Sequence, residues 1–292
     1  MVFLLLAVLA GSVKGFCGKK ISGYAESVSA CVRMNLWRMV LCCFIGLLLS
    51  LVTGATLRPG SWVEAAIWLL SGFSTAVFLI SWTLAVRTDA YMLVSACTTA
   101  AFLIPLLFGF FLFHESLGAK QIVGMLFIVA AVLLLVRYNN SIKTRLGIRQ
   151  LLLLLLVFVS QGFVSVSQKL FTYYVPDGNN PVFNFYTFLF ALVGLLLWQG
   201  GHRLRNPHER QKIPFGKVAG FLVVMAVMLF ANSYFLTAAT ETVPAVILFP
   251  LNSVLSLAIG VLMSTVFFGE RMTRYSVAGL LCTLISLLLT NL

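Results

Sequence analysis

"HESLGAKQIVGMLFIVAAVLLLV" runs from His114 to Val136, and "GERMTRYSVAGLLCTLISLLLTN" runs from Gly269 to Asn291. Each carries a glutamate, Glu115 or Glu270, nine positions before a glycine, Gly124 or Gly279, and each continues as an uninterrupted apolar run. A chain that repeats such a step across 155 residues reads as duplicated. An earlier pair of landmarks agrees. Gly18 and Lys19 in the first apolar span match Gln168 and Lys169 in the sixth, followed by "IGLLLSL" (45–51) and "VGLLLWQ" (193–199).

The duplicated unit is a membrane unit. Hydrophobic residues make up 61% of the 292 and charged residues 10%, whereas a soluble domain carries roughly a quarter of charged residues. Runs of about 20 apolar residues, the length a helix needs to cross the hydrocarbon core, give ten candidates. These spans are 2–22, 26–52, 61–86, 90–113, 119–137, 150–175, 181–199, 216–239, 243–268 and 274–292. The opening "MVFLLLAVLAG" has no basic segment before it and no small-residue cleavage site after it, so it is read as span 1 and not as a secretory signal. Two connections, 137–150 and 200–217, are polar and basic; the others are too short to hold a domain.

The halves divide near residue 143, giving two repeats, 1–142 and 143–292, of five spans each. An odd span count makes the second copy enter the membrane upside down relative to the first. The expected fold is an all-α polytopic membrane protein with ten transmembrane helices as two inverted five-helix repeats. Such repeats place a substrate site at their interface near the bilayer midplane and permit alternating access by rocking one bundle against the other.

The Glu-x8-Gly step, present twice, together with "GKKIS" (18–22) closing span 1, resembles the drug/metabolite transporter superfamily and in particular its ten-helix EamA-like branch. The resemblance extends over essentially the whole chain. It implies a five-plus-five transporter whose central cavity is lined by parts of spans 1, 3, 4, 6, 8 and 9, with spans 5 and 10 towards the periphery.

Orientation sets two readings against each other. The odd-numbered connections and their flanks hold Lys19, Lys20, Arg87, Arg137, Lys143, Arg145, Arg149, Arg203, Arg205, Arg210, Lys212, Lys217, Arg271 and Arg274, whereas the even-numbered ones hold Arg58 and Lys120. Cytoplasmic loops carry the lysine and arginine excess, so this bias expects both termini outside. The resemblance implies both inside; the charges are preferred because they act on insertion directly. The net charge of +12 is accounted for by orientation and anionic headgroups, and no nucleic acid partner is expected.

The acids, Glu26, Glu64, Asp89, Glu115, Asp177, Glu209, Glu241 and Glu270, all fall at span ends or in connections. In the small multidrug resistance branch of the resembled superfamily, an acid lies in helix 1 eight residues before a lysine. Here the corresponding positions are Gly11, before Lys19, and Gln161, before Lys169. Proton-coupled export of organic cations by that route is therefore disfavoured. Glu115 and Glu270 read as caps for the starts of spans 5 and 10, where a carboxylate meets free N–H groups.

Cations do lie deep. Lys14 is about 13 Å from the nearer loop at 1.5 Å per residue, Arg38 is near the centre of span 2, and Arg33 is about one and a half turns nearer its start. An intramembrane cation is a functional-site candidate, the alternative being hydrogen bonds to carbonyls or snorkelling to headgroups. The candidate substrate-binding residues are Lys14, Arg38, Thr98, Gln161, Asn232 and Asn252. Asn252 is favoured because Pro250, two residues earlier, frees a carbonyl and kinks its helix. Pro105 is expected to act similarly in span 4. Gly11, Gly15 and Gly18 leave one face of span 1 bare, either beside the site or for close packing. The six cysteines read as small buried apolar residues and the histidines form no ligand set.

A small-molecule substrate and the lipid bilayer are the expected partners, with no cofactor or metal; a homodimer is compatible with this reading. The favoured function is a secondary transporter in a bacterial cytoplasmic membrane, moving an amino acid or another anionic or zwitterionic metabolite by uniport or exchange. No G-x-x-x-x-G-K-[ST] motif is present to bind ATP. Alternatives are a multidrug exporter of the same superfamily and a lipid-handling protein. An enzyme would need an acid, base or metal set converging at one depth.

Overall fold

A computed structural model describes the chain except residues 22–23, 25–26, 87–90, 116–117, 138–146, 206–214, 269–273, 275–276, 280, 283–284, 286–288 and 290–292. The described residues form helices and turns. In order these are α1 (Val2–Ile21), α2 (Val28–Val52), α3 (Trp62–Val86), α4 (Tyr91–Ala100), α5 (Leu103–Phe111), α6 (Ala119–Arg137), α7 (Ile148–Tyr174), α8 (Asn180–Arg205), α9 (Phe215–Thr242) and α10 (Ala245–Phe268). The described residues between 274 and 289 are also helical. Helices α2, α3, α7, α8 and α9 are long and apolar enough to cross a membrane, and 2–18, 97–111 and 245–256 are shorter apolar stretches. Glu270, Glu26, Asp89, Glu209 and the dividing point near 143 lie outside the described residues.

Polar side chains mark where helices begin. Ser27 Oγ accepts from Ala30 N at 3.0 Å to open α2. At α3, Ser61 Oγ accepts from Glu64 N while Glu64 Oε2 accepts from Gly60 N, a reciprocal pair that satisfies donors a helix cannot serve itself. Asn179 Oδ1 accepts from Val182 N at the start of α8. Between these caps the outward surfaces are apolar while Asn35, Ser71, Thr83 and Thr187 are buried inside. Phe44, Leu51, Val52 and Leu197 stay exposed, as expected of surfaces facing acyl chains.

The expected span 4 (90–113) is two helices. Pro105 has no N–H to offer the carbonyl four residues earlier, and its ring crowds that carbonyl. The carbonyl belongs to Ala101, which instead accepts from Ile104 N at 3.1 Å. The chain therefore turns at Ala101 and Phe102 before α5 starts. Pro250, by contrast, is carried inside α10.

Three helix pairs run antiparallel, whereas α3 and α8 run parallel, Trp68 stacking on Tyr186 and Ser71 meeting Thr187. Along α1 and α9, Asn232 Nδ2 donates to Ala7 O at 2.7 Å, while Cys17 and Ile21 pack with Val218, Leu222 and Met225. Along α3 and α7, Ile67 and Trp68 meet Phe171 in one cluster, and Ala85 meets Leu154 and Val157 in another. Helices α2 and α8 run past each other in the same way. Gln199 reaches Ser29 at one end and Asn179 reaches Thr53 at the other. Between these ends the backbones come close enough that a Cβ on Gly46 would stand 3.0 Å from Phe185 Cα.

Candidate functional site

Lys14 and Arg38 project from α1 and α2 into the wedge that these helices make with α9. Glycine spacing lets α1 approach. A Cβ on Gly11 would sit 3.1 Å from Asn232 Nδ2, and one on Gly18 3.4 Å from Met225 Cε, whereas Gly15 meets nothing within 4 Å. Two of the three glycines therefore form a packing face, and Lys14 lies between them on the same side.

The two cations lie close enough for their charges to act on each other and on the Cys42 thiol. Cys42 Sγ in turn donates to Ala226 O on α9 at 3.4 Å, which ties the group to that helix. Arg38 Nη1 donates to Asn35 Oδ1 at 2.8 Å, and Asn35 Nδ2 to Thr83 Oγ1 on α3 at 3.4 Å. This chain fixes one edge of the guanidinium. Arg38 Nε, on another edge, is buried with no hydrogen-bond partner. No carboxylate among the described residues pairs with either cation. Both side chains are half-buried.

The other sequence candidates divide. Asn252 is half-buried on α10, and its Oδ1 is fully buried without a donor, so it retains an unused acceptor two residues after Pro250. Asn232 spends its amide on Ala7 O and serves to join α9 to α1. Thr98 Oγ1 donates to Val94 O of its own helix at 2.8 Å. Gln161 is half-buried on α7 next to Gly162, whose missing Cβ leaves room for Ile104 of α5, with Ile104 Cβ only 2.6 Å from where it would stand. Arg33 Nε donates to Ser29 O on its own helix. The structure thus joins Lys14 to Arg38 and shows no direct bond from that pair to Thr98, Gln161, Asn232 or Asn252.

Two groupings went unread in the sequence. Asn35 gave no signal, since one asparagine in an apolar helix does not reveal what it holds. Glu115 was expected to cap the start of α6. Its carboxylate crosses to α10: Oε1 accepts from Ala245 N and Oε2 from Val246 N, both at 3.0 Å, and Oε1 pairs with Lys169 Nζ at 3.3 Å. Just before Glu115, His114 takes a left-handed backbone, φ 51°, and Glu115 N donates back to Gly109 O at 3.0 Å. The recurrence of both Glu115 and Lys169 in the other half as Glu270 and Lys19 was the signal that could have linked them.

The sequence model of the EamA-like transporter family matches residues 1–137 and again 148–292. No curated protein sequence matches the chain significantly. Among solved structures, one crystal structure superposes with a TM-score of 0.78, covering 99% of this chain and 94% of its own, at 13% sequence identity. At that identity the likeness concerns the fold alone.

Proposed function

This chain belongs to the EamA-like transporter family, and we propose that it is a secondary carrier of a small anionic or zwitterionic metabolite, an amino acid being the first candidate. It is an integral multi-pass membrane protein; we place it in a bacterial cytoplasmic membrane. The carrier works by alternating access, as uniport or exchange, with ten transmembrane helices arranged as two inverted five-helix repeats, 1–142 and 143–292. The separate family matches to the two halves and the antiparallel run of α2 against α8, corresponding helices of those repeats, support that arrangement.

One observation carries the substrate reading: Lys14 and Arg38 lie together deep among the helices, with no carboxylate among the described residues paired with them. Two like charges out of bulk water are costly unless something compensates them. A bound carboxylate or phosphate would do so, taking a charge-assisted hydrogen bond from the unused Arg38 Nε. Asn252 Oδ1, an acceptor without a donor, suits the ammonium or hydroxyl group of the same molecule. The cation-exporter alternative lacks support at this site, since it would set a cationic drug against two positive charges.

Uptake into proteoliposomes, screened across amino acids, organic anions and organic cations under an imposed potential, tests the reading. Saturable uptake of an anion or zwitterion, undiminished when the proton gradient is collapsed, is the expected result. Transport confined to organic cations would overturn it.

The charge bias between connections leads to a second expectation: both termini face away from the cytoplasm. A reporter fused after Leu292 that is active only outside the cytoplasm is expected to be active. Activity of a cytoplasm-only reporter there would reverse the orientation while leaving the substrate reading untouched.

A further inference from the structure

Glu115 joins three pieces of chain that come from both halves. It lies in the turn between α5 and α6, and its carboxylate takes the first two N–H groups of α10 and the ammonium of Lys169 on α7. Lys169 Nζ also donates to Thr240 O at 3.1 Å, the last turn of α9, and sits 5.9 Å from the ring centre of Phe113. Approach this close depends on Gly109. A Cβ there would stand 2.7 Å from Val246 Cγ1 and 2.9 Å from Glu115 Oε2. Beside the junction, the start of α1 packs through Leu4, Ala7 and Val8 on Leu236, Ala239, Ala245 and Phe249. The end of the molecule bearing the 53–61 and 175–179 connections is thereby bound across the halves.

The chemistry of this contact differs from that of the apolar packing around it. A carboxylate at a helix N-terminus with a paired ammonium is strong while dry. Yet the Glu115 and Lys169 side chains each keep 13% of their surface accessible, and at this end of the helices, beside the connections, water can reach the edge of the junction. Rehydration of both charges offsets much of what is lost on parting. A contact of this kind can close firmly and still open, and the helix it holds carries Pro250 and Asn252 within its first turns.

We propose that Glu115, Lys169 and the first turn of α10 form a gate at this end of the carrier, closed in the structure described and parting once in every transport cycle. The proposal rests on the alternating-access reading above. Two experiments separate its failure from the failure of that reading.

The first needs no substrate. In a cysteine-free background with Asn252→Cys, labelling by a membrane-impermeant maleimide is followed from each face. Glu115→Gln and Lys169→Met should each raise labelling from the gate's face several-fold, and Glu115→Asp should raise it less. Unchanged labelling from that face in both variants would overturn the gate.

The second reads transport. The wild-type protein tests whether the chain carries substrate at all, and the reduced Glu115→Cys/Lys169→Cys protein sets the level against which its own bridge is read. Joining the two cysteines with a reducible bifunctional thiosulfonate is expected to cut uptake at least tenfold, with recovery on reduction. A matched bridge between Thr172→Cys and Thr240→Cys, whose hydroxyl oxygens lie 3.0 Å apart within the second half, is expected to leave uptake unchanged. Full transport by the Glu115/Lys169 bridge, or equal arrest by the Thr172/Thr240 bridge, would sink the proposal.

Discussion

Lys14→Met is expected to lower substrate uptake about 10- to 100-fold, because a hydrogen bond to a charged group contributes about 1.5–3 kcal/mol and each 1.4 kcal/mol is about a factor of ten. Methionine keeps the length and apolar stem of the lysine, so packing between Gly11 and Gly18 is preserved. The empty protein should lose nothing in stability. Removing one of two adjacent cations that no carboxylate among the described residues pairs with relieves repulsion, and the melting temperature in detergent should hold or rise. Lys14→Arg, which keeps the charge but displaces it, should fall between wild type and Lys14→Met. Wild-type uptake by the methionine variant, with or without a change in melting temperature, would remove Lys14 from the site.

The largest structural effect is expected at Gly72. A Cβ on that residue of α3 would meet Phe190 Cβ directly, with Thr187 O 2.9 Å away and Phe190 Cα 3.2 Å away. Two of these atoms are backbone atoms of α8, so no rotamer change can make room. Helices α3 and α8 would have to separate along their length, and Thr187 Oγ1 would lose its 2.9 Å bond to Ser71 Oγ one residue away. Overpacking typically costs about 1–3 kcal/mol; with a buried hydrogen bond disturbed as well, Gly72→Ala should fall at the upper end. Thermal stability in detergent should drop by several degrees. Gly15→Ala, where nothing lies within 4 Å, is the matched control and should change little. Equal stability of the two variants would show that the helices yield where the structure holds them tight.

Length and hydropathy read from the sequence located the helices, because a bilayer demands unbroken apolar runs of set length and leaves few other solutions. Ala101 shows the limit of that logic. Pro105 was visible as a perturbation, but whether the helix bends or breaks depends on what the freed Ala101 carbonyl finds nearby, and it found Ile104 N. At Pro250 the same residue type stays within a continuous helix. For the candidate site, Lys14 and Arg38 stood out because charge is rare inside membrane spans, but their meeting depends on α1 and α2 both packing on α9, which the sequence did not announce. Asn232 and Thr98 could not be sorted in advance. A polar side chain that joins helices and one that faces a ligand have the same composition, and only the partner atom distinguishes them. Glu115 illustrates a further reason. Its position near a helix start was legible, but its bonds to Ala245 N and Val246 N join segments 130 residues apart, which His-Glu does not announce.

The partners of α1 and α3 are α9, α7 and α8, all of which leave the ribosome well after the segments they cover. The early helices must therefore wait in the bilayer as individually stable spans, held by their own backbone hydrogen bonds, until the later ones arrive. Assembly is dominated by contacts between residues far apart in sequence, which slows folding in general. A truncated chain ending in the basic connection after α6 would retain its helices but leave Gly72, Gly46 and Gly11 facing lipid in place of the backbones and side chains they were shaped to receive.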